Sequence, residues 1–331
     1  MLWEHEIVGS NPTAPTTSLD RYDGEVPRPL KVGVQLPEVE REVRWPELLD
    51  MIRAIEDLGY DSIWLGEHLL YRWPDRPARG PWEAWSILAA IAAATSRVEF
   101  GPLVACTAFH NPAILAKRAI TIDEISGGRF VLGLGAGWNE TEFRAFGVPF
   151  DHRIDRFEEA FAIIRGLVRD GAVDFDGRYY SARDCEILPR GPRPSGPPLM
   201  IGSTGERMLR ITTPHVNSWN AWYADTANSP GGVAALRDRV DAACREAGRD
   251  PSAVERTVAV HVRMPGGRGR TMGSDATTDT IRPLEGEPGA MADELLAYAR
   301  EGIGHVQLVI DPIDRPSIER FAAVLRRLDD E

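Results

Sequence analysis

The feature that most constrains the fold is a repeated alternation of short apolar runs with segments of helical periodicity. The first apolar run covers residues 30–36, a segment with apolar residues at helical spacing follows at 45–58, and this pair recurs to the end of the chain. An apolar run between helical segments is typical of a parallel strand that is covered on both faces. The pattern therefore predicts an α/β fold with its helices outside the sheet.

The alternation predicts eight strands, each followed by a helix, which is the count of a (β/α)₈ TIM barrel. The predicted strands are residues 30–36, 61–66, 98–104, 130–135, 198–202, 216–222, 257–264 and 305–310. A doubly wound sheet is the alternative, but the sequence shows no change of composition and no linker long enough to separate two domains. We predict a single barrel domain over residues 30–331, with insertion loops at its C-terminal face. Residues 1–29 are predicted to be an N-terminal extension that is flexible or packs on a partner.

Composition excludes several classes of function. The chain has 331 residues, and its 38 basic and 50 acidic side chains give a formal charge of −12, which disfavours a nucleic-acid partner. Its apolar runs are too short to span a bilayer, so we expect no membrane association. Cys106, Cys185 and Cys244 are scattered without paired spacing, so neither a disulfide framework nor a metal site is expected. We expect a cytoplasmic protein.

A glycine-opened loop follows the predicted strand at 130–135. Gly135 and Gly137 bring bare backbone to the carboxyl end of this strand, where a flat ligand can approach without meeting side chains. A tight strand-to-helix turn that binds nothing explains the same residues. The ends of the other strands are needed to decide between the two interpretations.

The second predicted strand ends in an acid and an imidazole, Glu67 and His68. A histidine titrates close to neutral pH, so at the mouth of a barrel it can give or take a proton during turnover. A histidine considered alone is more often a structural residue. The adjacent acid and the predicted place at the mouth favour a catalytic role.

The third and fifth predicted strands also lead into polar residues. Thr107 and Asn111 have side chains that can hydrogen-bond the edge of a heterocycle, although Asn111 before Pro112 is also a good helix N-cap. The fifth strand leads into Gly202, Ser203, Thr204 and Gly205, whose amides and hydroxyls ahead of a helix suit a phosphate. A capping box with Glu206 is an equally good interpretation, and both can hold at once.

Taken together, these motifs resemble the bacterial luciferase-like flavin and deazaflavin oxidoreductases. The resemblance is carried by residues 103–107, 111–113, 126–138, 143–147 and 176–180, and it is close over residues 30–222. Within that family the chain is most similar to members assigned to the deazaflavin coenzyme F420.

The resemblance implies a barrel, usually a homodimer, that holds the cofactor ring in its mouth. It implies a bulge within residues 101–106, often with a non-prolyl cis peptide, that backs the ring. The cofactor contacts implied by the resemblance and by the strand ends are Glu67, Leu103, Val104, Thr107, Asn111, Gly135, Gly137, Trp138, Gly202, Ser203, Thr204 and Gly205. A hydride then moves between the ring and a carbon of a small organic substrate, with His68 as the proton donor or acceptor.

One departure from the family pattern concerns the substrate. Members that oxidise sugar phosphates carry a glutamate where this chain has Trp138, so a sugar phosphate is disfavoured and Trp138 is expected to form an apolar wall. Glu140 remains as a candidate second acid. The preferred function is F420-dependent hydride transfer; the alternatives are a monooxygenase that uses reduced FMN and oxygen, and a barrel that binds a cofactor without catalysis.

Overall fold

A computed structural model of the protein describes residues 28–74, 76–269 and 281–330. The strands are β1 (Lys31–Gln35), β2 (Ser62–Leu65), β3 (Glu99–Pro102), β4 (Ala105–Cys106), β5 (Leu132–Gly135), β6 (Ala172–Asp176), β7 (Ser181–Glu186), β8 (Leu199–Gly202), β9 (Ser218–Ala221), β10 (Glu255–Arg263) and β11 (His305–Asp311). The α-helices are α1 (Trp45–Asp57), α2 (Ala84–Ala94), α3 (Pro112–Ser126), α4 (Glu140–Phe146), α5 (Arg153–Arg169), α6 (Glu206–Thr212), α7 (Pro230–Glu246), α8 (Pro288–Arg300) and α9 (Arg315–Asp329).

Nine parallel strands form one sheet in the order β3, β2, β1, β11, β10, β9, β8, β5, β4. The strands β3 and β4 are two halves of one barrel strand, interrupted by a cis peptide between Leu103 and Val104. β3 pairs with β2, β4 pairs with β5, and a parallel bridge from Phe100 to Phe130 joins the two ends of the sheet. Counting β3 and β4 together, the barrel has eight strands, so the predicted (β/α)₈ fold is confirmed, and a bulge lies where it was expected.

Local signals in the sequence set several element ends. In α3, Asn111 accepts hydrogen bonds from the backbone N–H groups of Ala113 and Ile114, and Pro112 occupies the first helical position. The helix ends at Gly127, which adopts the left-handed conformation with φ 66°. These two caps fix where the chain turns back toward β5, and with it the strand end that faces the mouth.

A hairpin and a short helix were not predicted. The predicted strands skip residues 136–197, but β6 and β7 within this stretch form an antiparallel hairpin beside the barrel. Both strands are largely exposed and rich in charged residues, so they lack the apolar run that marks the barrel strands. The helix α4 has seven residues, too few for a helical period to stand out in the sequence.

The division of the chain into an extension at 1–29 and a barrel at 30–331 stays a prediction, because residues 1–27 lie outside the described residues. Arg28, the first described residue, is buried and connects the residue before β2 with the end of α9. Its Nη1 lies 3.3 Å from a carboxylate oxygen of Asp61 and its Nε lies 2.8 Å from one of Asp329. No helix in the described ranges is long and apolar enough to cross a membrane.

The base of the barrel is closed by a buried polar chain. Trp64 Nε1 donates a hydrogen bond to Ser62 Oγ over 2.7 Å, and Ser62 Oγ lies 2.7 Å from His305 Nε2. Burial, helped by the charge of Lys31, lowers the pKa of His305 to about 3. His305 is therefore a neutral packing residue. Access to the barrel interior is from the opposite, C-terminal end.

Candidate active site

A cavity of about 660 Å³ opens at the C-terminal ends of the strands. This volume is in the range of ligand sites in other proteins, and the position is the one where barrel enzymes place their chemistry. The residues that line it are Gln35, Glu38, Glu67, His68, Leu103, Val104, Ala105, Cys106, Gly135, Ala136, Gly137, Trp138, Glu142, Ile154, Gly202, Ser203, Thr204, Met208, Asn220, Trp222, Tyr223 and Asp225.

His68 lies on the wall of this cavity and is held by a carboxylate. Its Nδ1 is 3.0 Å from Oε1 of Glu142, whose side chain is 1% exposed. Burial by itself would lower the pKa of His68. The hydrogen bond to Glu142 and the negative charges of Glu38, Glu142 and Glu67 outweigh this effect, so the pKa is raised above its ordinary value. The surroundings of His68 therefore stabilise its protonated form.

Glu142 was missed by the sequence analysis, which proposed Glu140 as the second acid. Both residues belong to α4, but Glu140 is exposed and lies outside the cavity lining, whereas Glu142 is buried and lines it. The other oxygen of Glu142, Oε2, accepts a hydrogen bond from the backbone N–H of Leu69 over 2.8 Å, which fixes the loop that carries His68. The signal that identifies Glu142 is its place on the inner face of a short helix, and α4 was not predicted.

Glu67 is buried and has three hydrogen-bond contacts within the protein. Its Oε1 accepts from Trp85 Nε1 and lies 2.7 Å from His110 Nε2, and its Oε2 accepts from the backbone N–H of Cys106 over 2.7 Å. Arg118 approaches the other ring nitrogen of His110 at 3.3 Å. Because Cys106 belongs to β4, Glu67 fixes the backbone beside the bulge. Its contacts are those of a positioning residue, although it also borders the cavity.

The bulge places Leu103 and Val104 at the cavity and gives Gly135 a different role from the expected one. A Cβ on Gly135 would lie 2.7 Å from Cγ2 of Val104, so the space in front of this glycine is already filled. Gly137 has φ 76°, and a Cβ there would lie 2.6 Å from Sγ of Cys106 and 2.7 Å from the ring of Phe143. The two glycines admit packed side chains, and Val104 forms the apolar surface that faces the cavity.

The residues expected to hold a phosphate lie at the start of α6. Ser203 and Thr204 line the cavity, and Gly205 is the N-cap residue just outside the lining. Among the described residues no side chain caps this helix, so the capping box with Glu206 does not form. Trp219 Nε1 donates to the carbonyl oxygen of Ser203 over 2.7 Å and fixes the loop. The first amides of α6 therefore remain available to an anion.

Two other predicted contacts lie away from the cavity. Thr107 is buried and its hydroxyl donates to the carbonyl of Gly135 over 3.3 Å. Asn111 is exposed and caps α3. By contrast, Trp138 lines the cavity with a side chain that is 55% exposed, and its ring centroid lies 5.7 Å from that of His68.

Charged and polar residues that the sequence analysis did not propose complete the wall. They are Gln35 at the end of β1, Glu38 after β1, Asn220 in β9, and Asp225 after β9. Burial raises the pKa of Asp225, opposed by a hydrogen bond with the backbone of Trp222. Four carboxylates and one imidazole thus line the cavity, and within the described residues no lysine or arginine does. For Glu38 and Asp225, the signal available in the sequence was their position just past a predicted strand.

A parallel barrel with a hydrogen-bonded histidine–glutamate pair in a cavity at its C-terminal mouth has the architecture of a barrel enzyme. A model of the luciferase-like monooxygenase family matches residues 30–264. The chain belongs to this family, and the expected family is confirmed.

Two curated relatives illustrate different activities. A 5,10-methylenetetrahydromethanopterin reductase from Archaeoglobus fulgidus is 29% identical over 230 residues, which covers 70% of this chain and 63% of the relative. The pyrimidine monooxygenase RutA from Cronobacter sakazakii is 32% identical over 173 residues, which covers 51% of this chain and 50% of the relative. The chain therefore spans about half to two thirds of the length of these relatives.

Solved structures agree on the fold. An F420-dependent secondary alcohol dehydrogenase in complex with an F420-acetone adduct superimposes with a TM-score of 0.75 at 20% identity, covering 90% of this chain and 99% of the other. The riboflavin lyase RcaE, with modified FMN and riboflavin, gives a TM-score of 0.74 at 16% identity, covering 90% and 91%. At these identities the likeness concerns the fold alone.

Proposed function

We propose that the protein is an oxidoreductase that transfers a hydride between coenzyme F420 and a small organic substrate. The observation that carries the proposal is the pair formed by His68 and Glu142 on the wall of a cavity that is also lined by Ser203 and Thr204, ahead of α6. Oxidation of an alcohol or reduction of a carbonyl needs one hydride partner and one proton partner. F420, when bound, supplies or accepts the hydride.

The neutral donors near Ser203 and Thr204 support the choice of F420 over FMN in this proposal. Ser203, Thr204 and the first amides of α6 are neutral donors, and Arg207 beside them is paired with Asp155 and Glu158 at 2.6 and 2.7 Å. A phosphomonoester such as that of FMN carries about −1.5 to −2 charges near neutral pH and is commonly paired with a cation. The phosphodiester of F420 carries a single charge, which neutral donors at a helix start can satisfy.

The remaining contacts of the cofactor are assigned by position. Val104, with Leu103 beside it, offers the apolar surface on which a flat ring can rest, and Gly202, which also lines the cavity, leaves room for the Val104 side chain. Glu67 supports this surface from behind through Cys106. None of these groups transfers a proton in the proposal.

His68 is the proposed proton donor or acceptor. Glu142 engages Nδ1, which leaves Nε2 for the substrate and fixes the plane of the ring. In carbonyl reduction, protonated His68 gives its proton to the oxygen as the hydride reaches the carbon. In alcohol oxidation, neutral His68 takes the hydroxyl proton instead. Glu142 stabilises the charged imidazolium in both directions.

A second candidate function is oxygen-dependent catalysis with reduced FMN. It is favoured by the similarity to RutA, which is a pyrimidine monooxygenase. The similarity to the A. fulgidus reductase extends over more of the chain, 70% against 51%, and supports the first candidate.

Titration of the purified protein with F420 and with FMN, followed by tryptophan fluorescence, tests the choice. Trp138 lies in the cavity and provides an intrinsic reporter. We expect micromolar binding of F420 and weaker binding of FMN. Micromolar binding of FMN without binding of F420, together with oxygen consumption in the presence of reduced FMN, would establish the second candidate instead.

The location and assembly of the enzyme remain predictions. We propose that it acts in the cytoplasm as a homodimer, as the family resemblance implies. Sedimentation of the purified chain at micromolar concentration measures the assembly directly.

A further inference from the structure

The charges that face the cavity have one sign. Glu38, Glu142 and Asp225 line it together with Glu67, and His68 is the basic group of the lining; within the described residues no arginine or lysine is present there. Glu142 is paired with His68, and Glu67 accepts hydrogen bonds from three groups of the protein. Glu38 follows β1 and Asp225 follows β9. An anionic substrate would be brought close to these carboxylates without a compensating cation.

A buried acceptor in the same cavity needs a hydrogen-bond donor. Gln35 is 3% exposed and lines the cavity, and its Oε1 has no hydrogen-bond partner among the described residues. The orientation of the amide is set by its other end, because Nε2 donates to Oε1 of Glu38. A buried acceptor without a partner is costly. A hydroxyl group can satisfy Gln35, whereas a carboxylate has no donor to offer.

Aromatic rings stand on two sides of the mouth. Trp138 follows β5 and lies against the His68 ring at 5.7 Å, and Trp222 follows β9. In the order of the barrel strands, β9 lies opposite β2, the strand that leads to His68. Flat apolar faces on two sides of a ligand cavity are suited to a planar ring.

We propose that the substrate is an uncharged, ring-bearing alcohol, or the carbonyl compound that corresponds to it, and that anionic analogues are rejected. This inference rests on the proposed function. In the oxidation, the carbon–hydrogen bond of the alcohol carbon breaks and its electron pair leaves with the hydrogen as a hydride to oxidised F420. The hydroxyl proton passes to His68, and a carbonyl compound is released. The reverse reaction uses reduced F420 and returns the same proton.

Three probes of one scaffold test the charge rule: benzyl alcohol, 4-(hydroxymethyl)benzamide and 4-(hydroxymethyl)benzoate. The amide and the carboxylate have nearly the same size and differ in charge. Binding to the cofactor-free protein is measured by ligand-observed NMR, and turnover is measured as F420 reduction. We expect the benzoate to bind at least about tenfold more weakly than the benzamide, with kcat/KM lowered at least as much.

A charge-neutralising variant locates the effect. In Asp225→Asn we expect the ratio between benzamide and benzoate to shrink about threefold. Glu246→Gln makes the same change of charge at the end of α7, outside the cavity lining, and is expected to leave the ratio unchanged. Equal shrinkage in both variants would assign the discrimination to net charge and overturn the role of the cavity.

The outcomes separate this inference from the proposed function. Benzoate binding as tightly as benzamide, or failure of all three probes to bind, overturns the substrate class even if F420 binds. The expected order of binding without any F420 reduction by either neutral probe supports the charge rule and contradicts the proposed function. Turnover of the benzoate in preference to the neutral probes contradicts the charge rule alone.

Discussion

Two histidines inside this barrel have pKa values that are shifted in opposite directions. His305, at the base, has a serine hydroxyl as its neighbour, and its pKa falls to about 3. His68, at the mouth, has the carboxylate of Glu142, and its pKa is raised. Burial lowers the pKa of both. The difference shows that the partner of a buried histidine, and not its burial, decides whether it can serve in proton transfer.

Two glutamates at the mouth show a related contrast. Glu67 and Glu142 are both buried, but Glu67 accepts hydrogen bonds that hold the β4 backbone, and Glu142 holds the ring of His68. In the proposed function, Glu67 holds the backbone behind the surface on which the cofactor rests, and Glu142 stabilises the protonated form of His68. Substitutions at these four residues should therefore have separable effects.

The largest effect is expected for His68→Ala. Loss of the proton donor should lower turnover by about two orders of magnitude, while F420 affinity stays close to that of the wild type. Steady-state kinetics and fluorescence titration measure the two quantities. Unimpaired turnover would reduce His68 to a packing residue.

Glu142→Gln should lower turnover by about thirtyfold, a value between those typical of general acid–base catalysis and of a lost charged partner. Because the hydrogen bond and charge of Glu142 raise the pKa of His68, their loss should move the titration of His68 to lower pH. Proton NMR of the imidazole measures this pKa without any substrate. Glu140→Gln, two residues away on the exposed side of α4, provides the comparison, and an equal shift there would contradict the assignment.

The base of the barrel should make the protein sensitive to acid. The unfolded state binds a proton at His305 near pH 6.5, whereas the folded state resists it until about pH 3. Folding stability should therefore fall as the pH drops below 6.5, by about 1.4 kcal/mol per pH unit for this group. Denaturant unfolding at several pH values from 7 to 5 measures the free energy of unfolding. This free energy should fall less steeply with decreasing pH in His305→Gln than in the wild type.

His68 contributes to this pH dependence with the opposite sign. His68 has a raised pKa, so its contribution is present below pH 6.5 and is lost as the pH rises through the raised value. A wild-type slope in His305→Gln would mean that other groups control the acid limb.

The smallest effect is expected for Glu67→Gln. An amide in place of the carboxylate loses acceptor capacity and turns donors toward Trp85, His110 or Cys106, which should disturb the β4 backbone. We expect F420 affinity to fall about fivefold, with the pKa of His68 less affected than in Glu142→Gln. A shifted pKa of His68 together with unchanged F420 affinity would be the opposite pattern, and it would exchange the roles of the two glutamates.

Much of the architecture could be predicted because it depends on local sequence patterns. Buried parallel strands are apolar throughout, helices carry their caps, and Asn111, Pro112 and Gly127 mark the two ends of α3. The hairpin β6–β7 was not predicted because its exposed strands carry charged residues and lack an apolar run. The helix α4 was not predicted because seven residues are too few to show helical periodicity, and Glu142, which lies in α4, was missed for the same reason.

The sequence by itself determined the barrel, the family and the strand ends at which polar residues gather, because each of these depends on periodicity and motifs along a contiguous stretch. The tertiary structure decided which of those residues face one another. Glu142 reaches His68 across 74 positions of sequence, and Val104 fills the space in front of Gly135. Hydrogen bonds and electrostatic interactions act over a few ångströms in space, so the roles of the two glutamates and the two histidines depend on packing.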